Sequence, residues 1–267
     1  MKKIFFIAIV LIGGFQLTGK SQEVEVGLFG GGSYYLGDIN PGLHFMQSQI
    51  AYGISARYNF NQRLSARLSV YRGTLQGDDA VIKYREERNL SFESPVTDIS
   101  AVFEFNFFKY YTGSKRNYVT PYIFGGVSTF FFNPKANGVE LSELGTEGQN
   151  AGFDGRSPYS KTAFAIPFGI GLKYSLTNKI GIGFEWMMHK TFTDYIDDIS
   201  TTYYLVGQTI DPGNEAEALS DPTMSFDPYQ QRGDRQTKDW FAFYGLSITY
   251  KFNLSGRARC LDNQNFN

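Results

Sequence analysis

The feature that most limits this chain's choice of fold is an alternation of apolar and polar residues with a period of two, which recurs in eight segments. Residues two apart on a strand share a face, so each such run has two chemically different sides. The first opens with Val24, Val26 and Leu28 against Glu25 and Gly27 and is expected to reach about Leu36. In the second, Ile50, Tyr52, Ile54, Ala56, Tyr58 and Phe60 oppose a face holding Arg57 and Asn59. A short turn at Asn61-Gln62 leads to the third, where Leu64, Ala66, Leu68 and Val70 oppose Arg63 and Arg67, so these two runs read as a hairpin. The fourth sets Ile99, Ala101, Phe103, Phe105 and Phe107 against Glu104 and Asn106. The fifth, about Val119 to Phe131, has two similar faces and carries Pro121 near its start, where a missing N–H is tolerated. The sixth alternates Phe164, Ile166, Phe168, Ile170, Leu172 and Tyr174 with Ala163, Ala165, Pro167 and Lys173. The seventh places Ile180, Ile182, Phe184, Trp186 and Met188 opposite Glu185, Met187 and His189. The eighth places Trp240, Ala242, Tyr244, Leu246, Ile248, Tyr250 and Phe252 opposite Asp239, Ser247 and Lys251.

Alternation alone fits a soluble barrel with an apolar interior as well as a membrane barrel with an apolar exterior. Two further features choose between them. Connections at Asn61-Gln62 and Ser175 to Lys179 are short, whereas Gly37 to Ser48, Gly77 to Asn89, Asn133 to Pro158 and Asp194 to Lys238 are long, an asymmetry typical of outer-membrane barrels. The connection from Phe108 to Tyr118 is the exception. The apolar faces are also nearly free of charge and carry aromatics toward their ends, as lipid requires. The sequence therefore predicts an all-β chain forming an eight-stranded antiparallel transmembrane β-barrel of the outer-membrane type. Its opposite faces would enclose a lumenal charge network of Arg57, Arg67, Glu104, Lys173, Glu185 and His189. An even strand count puts both termini on the periplasmic side.

The chain begins Met1-Lys2-Lys3, continues with an apolar run to about Phe15, and then presents small residues Gly19 and Ser21, the pattern of a cleaved export signal over residues 1–21. That run is too short for a spanning helix, which needs about 20 apolar residues. The barrel is assigned to 22–252 and a periplasmic tail to 253–267. Aromatic residues make up 17% of the chain, which suits strands and interface girdles, while the net charge of −1 gives no basic field for nucleic acid. The single cysteine, Cys260, excludes an intramolecular disulfide framework. It reads as a free thiol, as a partner contact through an intermolecular disulfide, or as an incidental residue of the tail.

Few residues suggest chemistry. Asp194, Asp197 and Asp198, with Ser200 and Thr201, could offer oxygen ligands to Ca²⁺, or could instead cap the chain and pair with Lys190 and loop arginines. His44 and His189 stand in no metal or nucleophile motif, and Gly30-Gly31-Gly32 lacks the Lys-Ser/Thr and helix of a phosphate loop. Those glycines are expected on the lumenal or a bulged side of their strand. Glu104 and Glu185 form a conceivable acid pair for glycoside hydrolysis, but inward-facing acids beside Arg57, Arg67 and Lys173 are better read as neutralising them. No cofactor and no enzymatic activity are expected.

Five blocks resemble one family: Tyr34-Tyr35-Leu36-Gly37-Asp38-Ile39-Asn40, Arg88-Asn89-Leu90-Ser91-Phe92, Asn133-Pro134-Lys135-Ala136, Leu144-Gly145-Thr146-Glu147-Gly148-Gln149, and Lys190 through Thr201 with its Asp194-Tyr195-Ile196-Asp197-Asp198 core. Together they are similar to the PorG-type outer-membrane barrels of the Bacteroidetes, associated with type IX protein secretion and, in gliding species, with the motility machinery. The resemblance covers nearly the whole mature chain. It implies a structural role in the outer membrane and contact with a periplasmic ring formed by a lipoprotein and its partner. His189 stands where the family pattern leads one to expect Arg, so an ion pair with Glu185 is not carried over to it. Competing readings are a ligand- or lipid-handling barrel and a surface-adhesion barrel that uses its long loops.

Overall fold

The structure is a computed structural model and describes residues 23–204 and 215–253. The expected export signal over 1–21 and all of the tail except Asn253, including Cys260, lie outside the described residues. Eight long strands form the barrel: β1 (Glu23–Leu36), β2 (Gln49–Asn59), β3 (Leu64–Asp78), β4 (Ser91–Asn106), β5 (Val119–Phe132), β8 (Thr162–Ser175), β9 (Ile180–Thr191) and β10 (Trp240–Asn253). Two short strands, β6 (Lys135–Ala136) and β7 (Val139–Glu140), make a small hairpin beside the outer end of β4. All pairings are antiparallel in the order β3-β2-β1-β10-β9-β8-β5-β4, and pairing of β3 with β4 closes the ring. This is the predicted architecture.

Closure sets the stagger. Following paired residues once around the ring from Tyr34 through Ala242, Met188, Phe168, Gly125, Phe103, Ala66 and Tyr58 arrives at Val24, ten residues (34 less 24) along β1 from the start. Such a stagger in a narrow barrel tilts the strands by roughly 35–45°.

The pleat sorts side chains as alternation required. Leu28, Ile54, Leu68, Phe103, Val127, Phe164, Ile170 and Leu246 all face outward and are exposed. At the short-turn end this face ends in edge-to-face aromatic pairs, Tyr58–Phe60, Phe105–Phe107, Tyr118–Tyr174 and Tyr250–Phe252, with ring centroids 4.9–5.7 Å apart. At the long-loop end the outward charges Arg72 and Lys190 appear, Lys190 lying over the Trp240 ring. The uncharged belt between these rims is what acyl chains tolerate.

Two expectations need correction, and the similarity of the β5 faces is explained. Strand β4 begins at Ser91, ahead of the run read from Ile99, so Ser91-Phe92 of the second family-like block belong to the strand and not to the connection before it, and the β3–β4 hairpin rises above its neighbours. The two faces of β5 look alike because Tyr122, Phe124 and Phe130 are lumenal fillers while Ile123, Val127 and Phe131 meet lipid. Gly30 and Gly32 fall on the outward set with Val26 and Leu28, and the β1–β10 register runs through them without a bulge.

Leu68 is outward and lies midway between Leu64 and the outward charge Arg72 on the lipid-facing part of β3. Leu68→Arg should cost about 2–4 kcal/mol of bilayer stability, as charge at mid-depth does in such barrels. The check is a lower urea midpoint for folding into lipid vesicles, followed by the gel shift between folded and unfolded barrel.

Candidate functional site

Two buried polar assemblies occupy the barrel. The lower one lies in the lumen. The Glu104 carboxylate takes Arg57 Nε at 2.8 Å, Arg67 Nε at 2.7 Å and Lys173 Nζ at 2.6 Å. Arg57 Nη1 reaches Glu25 at 2.8 Å, and Arg67 Nη1 reaches Glu185 at 2.9 Å. Tyr71 and Tyr122 each donate to Glu185, at 2.7 and 3.0 Å. Three carboxylates (Glu25, Glu104, Glu185) thus face three cations (Arg57, Arg67, Lys173) in one connected set. Isolated charges could not be buried in this way, whereas mutually paired ones can.

The sixth predicted member of that network, His189, is not joined to it. Its Nε2 lies 3.3 Å from Asp98, and its ring stacks on Phe241 at 4.2 Å. A layer of aromatics separates the two: Phe29 stacks on Tyr71 at 4.3 Å, while Phe130, Phe241 and Phe243 are fully buried. With the lumen packed by ionic and aromatic layers, Glu104 and Glu185 serve as counter-ions.

The upper assembly is a cap where all four long connections meet. Arg88, from the β3–β4 connection, forks onto Asp79 at 2.7 and 3.1 Å and also donates to the carbonyls of Asp38 and Arg232. Arg232, from the β9–β10 connection, donates to Glu147 at 3.1 Å and to the Asp198 carbonyl. Glu147 in turn accepts from the backbone N–H groups of Ser200 and Thr201 at 2.9 and 3.0 Å. Asp198 accepts from Thr146 and, at 2.7 Å, from Tyr159. The Tyr35 hydroxyl sits between Asp197 at 2.5 Å and Asp239 at 2.8 Å. One hydroxyl proton cannot serve both acceptors, so the trio needs a proton on a carboxyl. A Cβ at Gly37 would lie 2.0 Å from the Tyr35 hydroxyl and 2.2 Å from Asp239, so only glycine lets the chain turn there.

Asp194 accepts from Ser200 Oγ at 2.7 Å, with Lys238 at 3.8 Å, and Asp38 accepts from the Asp234 N–H at 2.8 Å. Lys190, considered above as a partner for these acids, lies instead on the outer wall over Trp240. Asp194, Asp197 and Asp198 therefore have separate partners, and no group of three or more acids or histidines with metal-holding geometry occurs among the described residues. Acids exceed cations in this cap. Burial raises the carboxyls of Asp38 and Asp198 to about 6 and that of Asp194 to about 7. Asp197 and Asp239 are raised well above the ordinary carboxyl range, by burial first and by neighbouring acids second.

Sequence reading brought Asp38, Asp194, Tyr195, Asp197 and Asp198 into view, and all lie in or beside the cap. It gave no role to Asp79, Asp239 or Arg232. Arg232 in particular sits inside a long connection without periodicity, where only contact in space reveals its partners.

At the short-turn end, the unusually long connection after β4 folds across the mouth. Thr112 donates to Glu25 at 2.7 Å, the Tyr110 N–H donates to the Gln62 carbonyl at 3.0 Å, and Lys251 pairs with Glu23 at 3.3 Å while also reaching the Thr112 carbonyl. A recess of about 390 Å³ remains beside it, lined in part by Glu23, Arg63 and Lys109.

A closed ring of eight strands with an apolar exterior, an ion-paired interior and a loop cap defines an eight-stranded membrane barrel of the outer-membrane type. A family model described as a domain of unknown function, DUF6089, matches residues 2–204, and the chain belongs to that family. In solved structures the chain is similar to Ail, the attachment invasion locus protein of Yersinia pestis, at 11% identity and a TM-score of 0.44, covering 87% of this chain and 99% of that one. It is also similar to Neisserial surface protein A, at 12% identity and a TM-score of 0.45, covering 86% and 97%. The outer membrane protein OprG of Pseudomonas aeruginosa gives 11% identity and a TM-score of 0.40, covering 87% and 97%. No curated protein sequence matches the chain.

Two outcomes follow from the assemblies. Glu104→Gln leaves two arginines and a lysine sharing too little negative charge and should destabilise the barrel by about 3–5 kcal/mol, read as a lower urea midpoint in vesicles. In the cap, the raised carboxyls bind protons more tightly folded than unfolded, so cap stability is greatest below about pH 4 and declines as pH rises through 6 to 7. Limited proteolysis of the reconstituted barrel should therefore cut the long connections severalfold faster at pH 8 than at pH 5, after correction for protease activity. Asp194→Asn should flatten that dependence.

Proposed function

We propose that this chain is a structural outer-membrane component of the type IX protein secretion machinery, with gliding motility an associated process where it occurs. In this reading the barrel is held by outer-membrane lipid, both termini are periplasmic, and the short-turn end contacts the periplasmic ring of lipoprotein and partner. It has no enzymatic role and needs no cofactor. The observation that carries the proposal is the convergence of the family-like blocks: Tyr35, Asp38, Arg88, Glu147, Asp197 and Asp198, scattered along the sequence, meet in one cap.

The short-turn end supports a docking role. Its connections at 60–63, 107–118 and 176–179 carry Arg63, Lys109, Lys115, Arg116 and Lys179 and no Asp or Glu. Such a one-sign surface favours an acidic partner and steers its approach. The packed lumen supports a platform in preference to a conduit or a catalytic cavity.

Affinity purification from detergent-solubilised outer membranes tests the reading. Ring components should co-purify with the wild-type barrel, and the triple variant Lys109→Glu, Arg116→Glu, Lys179→Glu should lose them and secrete poorly while retaining the folded gel mobility. Recovery of the wild-type barrel alone would overturn the secretion role.

A further inference from the structure

The first long connection, 37–48, does more than contribute Asp38 to the cap. Its distal part turns back along the outside of the barrel. Phe45 packs on the outward-facing Tyr34 and Tyr244 with ring centroids 5.0 Å away in each case, and on Trp186 at 6.3 Å. Trp186 Nε1 donates to the Tyr34 hydroxyl at 2.8 Å, and that hydroxyl is hydrogen-bonded to His44 Nδ1 at 2.9 Å. Met188 and Ala242, outward by register, are buried beneath this cover.

The wall is shaped to receive it. A Cβ at Gly32 would stand 2.7 Å from the Tyr244 ring, so the missing side chain is what leaves room for that ring, which Phe45 meets edge to face. The connection is also firmly held: Asn40 donates to the carbonyls of Tyr35 and Leu43 at 3.0 and 2.9 Å and accepts from the Leu43 N–H at 2.9 Å. Phe45 has φ 64° and Gln47 has φ 49°. A bulky residue in the left-handed region is uncommon and persists where its surroundings fix it.

Depth follows from the strands. Lys190 and Trp240 mark the rim, and Trp186 and Tyr244 lie four residues below them on β9 and β10. At the tilt of such strands this is about 10 Å toward the middle of the apolar belt. The turn that rests on them thus descends past the outward charges, yet it presents Leu43, Phe45 and Met46 to its surroundings at 49%, 51% and 38% exposure. Its free side continues the lipid-facing wall on either flank.

We propose that residues 43–46 form a wedge seated in the membrane, covered by acyl chains of the leaflet at the long-loop end. This rests on the barrel lying in a bilayer, and the test separates the two. Leu43→Cys and Met46→Cys, each in a full chain carrying Cys260→Ser, are labelled with the fluorophore NBD and folded into phosphatidylcholine vesicles with or without brominated chains. Leu246→Cys on the bare wall and Gln236→Cys in the exposed connection serve as references. Blue-shifted emission and bromine quenching comparable to Leu246→Cys are expected at both wedge positions. Water-like emission with the weak quenching of Gln236→Cys would overturn the wedge alone, whereas loss of quenching at Leu246→Cys would overturn the membrane reading with it. In isolated outer membranes, a photo-crosslinking residue at Met46 should give lipid adducts. A discrete protein adduct would identify a protein as the occupant and also overturn the proposal.

Discussion

The structure depends on putting its charges inside a closed ring of strands. Closure satisfies every ladder hydrogen bond within the sheet and leaves no edge, which is the condition for strands to stand in hydrocarbon. It also creates a lumen too narrow for bulk water, so whatever lines it has to be packed and neutralised. Glu104 answers that demand by taking three cations at 2.6–2.8 Å, and Glu25 and Glu185 complete the balance from either side. Because these residues come from β1, β2, β3, β4, β8 and β9, the network also fixes the register of distant strands against one another. A slip of one residue on any of them would turn a charge into lipid.

Much of this could be read in the chain because it is encoded by neighbours along a strand. The parity that separates Leu64, Ala66 and Leu68 from Arg63, Ser65 and Arg67 assigns lipid and lumen without any knowledge of the other strands. Parity does not report which inward residues meet. His189 shares the inward face with Glu185, but the two are four residues apart on a tilted strand, and an aromatic layer intervenes. His189 therefore meets Asp98 across the barrel. Strand length was hidden for a related reason: Ser91 to Thr97 includes Pro95 and polar residues on both faces, because that part of β4 stands above the apolar belt and needs no greasy side.

The cap was harder still to foresee. Its acids were visible as an Asp-rich stretch, and such a stretch reads equally well as a cation site or as a set of chain caps. What decides is the company each acid keeps. Asp198 has Thr146 and Tyr159, Asp197 has Tyr35, Asp194 has Ser200, and Glu147 has Arg232, so donors come from the third and fourth long connections and from the end of β1. Arg88 and Arg232 cannot neutralise all of these acids. The remainder is resolved by protons, which is why burial moves Asp38, Asp194 and Asp198 upward together.

The two ends of the barrel consequently differ in kind. At one end, two short turns and the connection after β4 present cations around a mouth crossed by Thr112 and Tyr110. At the other, long connections are folded inward on one another, and their charges are mostly spent on internal partners. The first of them links that cap to the wall: within a few residues it runs from Asp38, bonded to the Asp234 N–H, to Phe45, resting on Tyr244. A change of protonation in the cap is therefore one short, hydrogen-bonded turn away from the apolar exterior. The Asn40 bonds tie that turn to the end of β1 at Tyr35 and to Leu43 beside Phe45.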